Sequence, residues 1–199
     1  MANPVSIQPF GNQLAVNMDD GTLFMGLPSG GNLWLIGGNG TPPVDPPDPV
    51  GGLIDNILPG HVFAEGSLAN DWQWHLDNAD NRGGNDLNYA YGENFYAPGA
   101  GTITHFDVSG VGMVVRLILD VPAVRTKPAF AYDQPGPMVA IWFQHCSASA
   151  PDGRVAQGDY IGKGGDGYGD YPTHLHVHGL TDTGGVASNA NRTCFWHFI

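Results

Sequence analysis

A chain of 199 residues with 7 Lys and Arg against 19 Asp and Glu carries a formal charge of −12, which removes the electrostatic basis for binding nucleic acid or anionic lipid. Its 30 Gly and 16 Pro favour short strands and tight turns over helices, and no apolar run reaches the roughly eighteen residues that span a membrane. Residues 1–37 read as a small three-stranded β unit. Gln13 to Asn17 alternates apolar and polar, Asp19-Asp20-Gly21 is a hairpin turn, Thr22 to Met25 returns, and Leu33 to Ile36 adds a third strand. A sheet of that size buries little surface alone and needs a partner to pack against. Residues 38–52, with Pro42-Pro43, Pro46-Pro47 and Pro49, form a semi-rigid extended spacer.

Residues 53–199 form the larger unit. Gly101 to Phe106, Gly112 to Leu119 and Met138 to His145 are β-type runs bounded by Gly and Pro, and no segment shows a sustained, capped helical period. The expectation is a mostly antiparallel β domain with a groove across one sheet face and a surface loop from Val121 to Pro137 beside it. Near the end, Thr173-His174-Leu175-His176-Val177-His178 places three histidines at a spacing of two, on one face of a strand. Such a face suits either solvent or a metal, imidazole being the commonest biological metal ligand.

The surrounding text favours the metal. Gly153-Arg154-Val155-Ala156-Gln157-Gly158-Asp159-Tyr160-Ile161-Gly162 runs through a Gly-rich segment, Lys163 to Gly169, into that strand. Upstream stand Ile141-Trp142-Phe143-Gln144-His145-Cys146-Ser147, and Asn85-Asp86 followed by Ala97-Pro98-Gly99-Ala100-Gly101-Thr102-Ile103. In this order and spacing the segments resemble the lysostaphin-type (LytM-like) zinc peptidases of bacterial cell walls, over roughly residues 60 to 180 and not the first fifty. The resemblance implies a lysostaphin-like antiparallel sheet, Asp86 and His176 as ligands to a zinc ion (Zn2+), and His174 and His145 beside it as general base and stabiliser of the tetrahedral intermediate.

One ligand is missing from its place. The family's first zinc ligand, a histidine four residues before the aspartate, falls here on Arg82, and a guanidinium has no lone pair to give a metal. Either His75 swings in through the polar segment from Asn78 to Gly84, or the site holds no metal and Arg82 pairs with Asp86 in place of the cation. The second repair needs no special loop geometry and is preferred. His178 takes the position where the family often has glutamate, as a residue behind the ligands or in solvent. His61, His105 and His197 read as structural, Trp72 and Trp74 as core or groove wall, and Cys146 and Cys194 as paired or free.

Met1 to Val5 lacks the basic and apolar parts of a secretory signal, which turns the reading toward a phage protein carried to the wall in a virion. The expected function is therefore that of a minor tail protein at the phage tail tip, multimeric in the virion and bound to other tail proteins through residues 1–37. Its larger domain engages or cuts the peptide cross-links of host peptidoglycan during DNA entry, without membrane insertion. Zinc is the cofactor if the domain is active, and there is none if Arg82 has replaced it. The alternative is a free zinc-dependent endolysin.

Overall fold

The computed structural model describes residues 52–80, 82–183 and 190–199, together with the backbone of four strands between residues 4 and 36. The chain divides into a unit of Met1–Val50 and a unit of Gly51–Ile199, and it is mostly β.

In the first unit β1 (Pro4–Phe10), β2 (Gln13–Met18), β3 (Leu23–Gly26) and β4 (Trp34–Ile36) form an antiparallel sheet in chain order. The sequence predicts three strands and the sheet has four. The additional β1 contains Pro4 and Pro9, which argue against a strand unless it lies at an edge, where a missing N–H breaks no ladder. An edge is where β1 sits, pairing only with β2, with Ile7 opposite Val16. The Asp19-Asp20-Gly21 turn and residues 38–51 of the spacer lie outside the described residues.

The second unit opens with a helix, α1 (Leu68–Asn78), capped by Ser67, whose hydroxyl accepts the Asn70 N–H at 3.2 Å. The sequence reading expects no helix here. Leu68, Trp72 and Leu76 do recur at helical spacing, but the same buried face carries Asp71 and His75, so the apolar stripe is half polar. Packing and the cap hold a helix that the hydrophobic pattern hides.

Strands β5 (Asn85–Leu87), β6 (Asn94–Tyr96), β7 (Gly101–Val108), β8 (Gly112–Ala123), β9 (Met138–Cys146), β10 (Ala148–Ser149), β11 (Gly153–Val155), β12 (Tyr160–Lys163), β13 (Leu175–Leu180) and β14 (Arg192–Thr193) follow. Seven of them form one sheet in the order β11-β7-β8-β9-β13-β14, with β5 added against β13, and β10-β12-β6 form a smaller sheet. All pairings are antiparallel. Central β13 is buried along its whole length, whereas β7 alternates buried and partly exposed positions as far as Thr104 and has no buried position beyond it.

Ile103, Val115, Leu117, Ile141, Phe143, Leu175 and Val177 of the large sheet join Trp72 and Leu76 of α1, Phe95 and Ile161 of the small sheet, and Phe195, Trp196 and Phe198 in one buried core. At about 2 kcal/mol for each large apolar side chain, that core outweighs any single polar contact in the domain. The segment expected as a loop from Val121 is strand as far as Ala123. The remainder is tied down rather than merely superficial: Asp133 is buried and accepts from Arg125 at 2.5 Å, His197 at 2.6 Å, the Cys194 N–H at 3.0 Å and the Thr193 hydroxyl.

Candidate metal centre

The two-residue period of β13 puts His176 and His178 on one face, with His174 just before the strand bridged to Gly165, and antiparallel pairing sets Asp86 of β5 directly opposite His176. Their side chains meet, His176 Nδ1 lying 2.7 Å from Asp86 Oδ1. The third group comes from α1. His75, in its last turn, brings Nε2 to 3.3 Å from the same Asp86 oxygen. Its Nδ1–H donates to the Asp71 carbonyl at 2.9 Å, which turns Nε2 toward Asp86, as a donor to the carboxylate when the ring is protonated and as a lone pair for an ion when it is not.

Helix and strand are bolted together by the buried Asp71, which the sequence reading does not single out. Its Oδ2 accepts the Asp86 N–H at 2.7 Å and the Asn85 amide at 3.1 Å. The chain between α1 and β5 then has to pass through a gap with no room for side chains. A Cβ on Gly83 would run into the Trp72 ring, and one on Gly84 into the His176 ring. The signal for Asp71 is its place four residues before His75, one helical turn away on the same face.

Arg82 does not reach Asp86. Its guanidinium pairs with Asp80 at 3.0 Å and its Nε–H donates to the Ala79 carbonyl at 3.2 Å, both at the surface. The preferred repair, an arginine in place of the cation, is therefore corrected. The imidazole beside Asp86 is His75, delivered by a helix and not by a swinging loop.

The donor atoms of His75, Asp86 and His176 all lie within 4.8 Å of one another. Two ligands on a tetrahedral ion at about 2.0–2.1 Å stand about 3.3 Å apart, so the His75–Asp86 spacing already fits, and the shorter His176–Asp86 contact is the hydrogen bond that an ion would open. Burial alone would raise the Asp86 carboxyl, but hydrogen bonds from His176 and His75 hold it well below the usual carboxylate range. Burial pushes His176 down to about 3. Burial would also lower His75, and the hydrogen bond to Asp86 outweighs it. An ionised carboxylate flanked by imidazoles suits a divalent cation.

His174 and His145 stand alongside. His174 Nε2 lies 3.5 Å from Asp86 Oδ1 while its Nδ1–H donates to the Pro172 carbonyl at 2.6 Å. The His145 ring is centred 4.5 Å from His174 and 5.9 Å from His176, with Nδ1–H held by the Val111 carbonyl at 2.8 Å. His145 reaches this place through a bulge: the four residues of β9 from Phe143 to Cys146 face only three of β8, Met113 to Val115, and its φ is 62°. A left-handed backbone costs a non-glycine residue about 1–2 kcal/mol, which the surrounding sheet must offset. Burial, with the nearby His174, pushes His145 down to about 4, so it is neutral near pH 7 and able to take a proton.

Tyr171, unmarked by any sequence signal, faces His145 at 4.2 Å and donates its hydroxyl to the Gly110 carbonyl at 2.5 Å. Trp74 is exposed next to His75, and Trp72 is core. His178 is fully buried rather than solvated. His61 stacks on Tyr89 at 3.7 Å, His105 pairs with Asp152 at 2.6 Å, and His197 belongs to the Asp133 cluster, all outside the centre. Cys146 and Cys194 are buried and free.

No protein family, curated protein or solved structure matches the chain.

Proposed function

We propose that residues 51–199 are a zinc-dependent peptidoglycan endopeptidase domain of the lysostaphin type, carried by a phage tail-tip protein that opens host wall cross-links during DNA entry. The observation that carries this reading is the meeting of His75, Asp86 and His176 at one point with His145 and His174 beside them. Zinc, when bound by the three, supplies a Lewis acid and acidifies a water toward neutral pH. The chain's own groups do the rest. His174 and His145, each with Nδ1–H fixed on a backbone carbonyl, present Nε2 as the atom that accepts a proton from an attacking water and returns it to the leaving amine. Asp71 and the Gly83-Gly84 passage keep the helix-borne and strand-borne ligands in register.

The metal-free, wall-binding alternative leaned on an Arg82–Asp86 pair and loses that support with Arg82 on Asp80. A free endolysin remains the alternative for the setting, since the tail-tip assignment rests on the N-terminal unit and spacer alone. The full chain, exposed to zinc and dialysed, should retain one zinc per chain and release new amino termini from purified peptidoglycan. A protein that keeps no zinc and leaves the wall intact would overturn the reading.

A further inference from the structure

Behind the metal centre the same sheet face carries a cluster that the proposed chemistry does not use. His178 follows His176 on that face, Trp142 of β9 lies directly opposite His178, and Arg192 of β14 is opposite Leu180. The His176 and His178 rings are 5.3 Å apart and the Trp142 and His178 rings 5.8 Å. All are buried, Arg192 being 8 % exposed and His178 not at all. Yet His176 Nε2, both ring nitrogens of His178, Trp142 Nε1 and Arg192 Nε have no hydrogen-bond partner. Arg192 donates through Nη1 to the Gly83 carbonyl at 3.1 Å, and among the described residues it pairs with no carboxylate.

A buried guanidinium without a counter-charge is among the costliest arrangements a fold can keep, and each unpaired donor beside it adds to the cost. Three of the five orphaned atoms are donors whether or not a metal is bound. Indole and guanidinium N–H groups only donate, His178 offers one N–H, and His176 carries its proton on Nε2 once Nδ1 gives its lone pair to an ion. Unpartnered donors on the same sheet face as a buried guanidinium call for an anion, and the Nε edge of an arginine is the fork that grips a carboxylate through two parallel bonds.

We propose that Arg192, Trp142 and His178, with His176 Nε2 as the wall toward the metal centre, form an enclosed site for one carboxylate-sized anion. Two sources share that chemistry: a small free carboxylate, or the terminal carboxylate of a peptide lying at the metal centre, the latter resting on the peptidase reading. An anion there accepts from the back of a ligand histidine, so it and the metal strengthen each other's binding.

The test uses the full chain, stripped of metal by a chelator, so that a negative result leaves the wall-cleavage assay untouched. Acetate replaces a bulky sulfonate at constant ionic strength while the melting temperature is read. The expected result is a rise of about 3 °C for each tenfold increase in acetate above its Kd, absent in Arg192→Gln. Should that variant not fold, Trp142→Phe keeps the ring and deletes one donor, and should weaken acetate about tenfold. An acetylated dipeptide and its C-terminal amide separate the sources. The acid surpassing acetate, with the amide inert, assigns the site to the substrate's terminus; acetate equalling or surpassing the acid assigns it to a small solute. A melting temperature indifferent to acetate and to the dipeptide acid, or an acetate effect of the same size in Trp142→Phe as in the native chain, would overturn the proposal.

Discussion

Two aspartates with histidine partners, Asp133 buried and Asp86 partly so, sit in the same domain and are used in opposite ways. Asp133 is surrounded by protons: Arg125, His197, Thr193 and the Cys194 N–H all donate to it, and it staples the loop after β8 to the C-terminal end of the chain. Asp86 is met by imidazoles, His176 Nδ1 at 2.7 Å, His75 Nε2 at 3.3 Å and His174 Nε2 at 3.5 Å, each a nitrogen that becomes a ligand once it gives up its proton. A carboxylate held by a guanidinium, a hydroxyl and a backbone N–H is a structural clamp, whereas one held by imidazoles can exchange their protons for an ion. Among the described residues, only the Asp86 group brings ligand atoms together in the manner of a metal site.

The sharpest way to break this contrast is to remove a ligand from the Asp86 side. His75→Ala or His176→Ala should abolish zinc retention, measured as metal per chain after dialysis, while the melting temperature of the metal-free protein moves by only a few degrees. A His75→Ala protein that keeps its zinc would show that the helix is not a ligand donor. Next in size, His145→Ala and His174→Ala should each slow peptidoglycan cleavage by about 10²–10⁴-fold with zinc content unchanged.

On the other side, Asp133→Asn should cost about 3 kcal/mol by leaving Arg125 under-compensated in a buried site, seen as a lower denaturant midpoint with no loss of zinc. The pH dependence has a definite sign. Burial opposes ionisation of Asp133, but hydrogen bonds from His197 and Arg125 hold its folded pKa below the unfolded value of 3.8. Its contribution is present above about pH 4 and is lost as pH falls toward the folded value, so the acid limb of a melting-temperature profile should flatten in Asp133→Asn. The smallest effect belongs to Arg82. Its exposed pair with Asp80 is worth at most about 0.5 kcal/mol, and Arg82→His should leave zinc affinity within about threefold of the native chain.

The histidine strand was legible because its period is two and nothing interrupts it, and Asp86 because its spacing to Gly101-Thr102, at the start of β7, matches the resembled family. His75 was visible as a candidate but not as a helical residue. The face that would have announced the helix is the face that builds the site, with Asp71 and His75 standing where apolar residues would make the period plain. The β1 edge strand was hidden by its prolines. Arg192 and Trp142 left no trace, since their relation to His178 exists only through strand pairing across the sheet. What sequence reading loses here is long-range pairing and the polar half of an amphipathic helix.

The position of His75 also bears on kinetics. It lies in the last turn of an eleven-residue helix, and the Ala79 N–H that closes that turn bonds to the carbonyl of His75 itself. Terminal turns open at a lower free energy than the rest of a domain. An ion held by this residue therefore has a built-in escape route, in which the final turn unwinds and one ligand leaves while Asp86 and His176 stay fixed in the sheet. Zinc transfer to a chelator should then keep pace with hydrogen exchange at Ala79. Substitutions that stiffen the exposed residues of the last turn should lengthen the residence time of the metal.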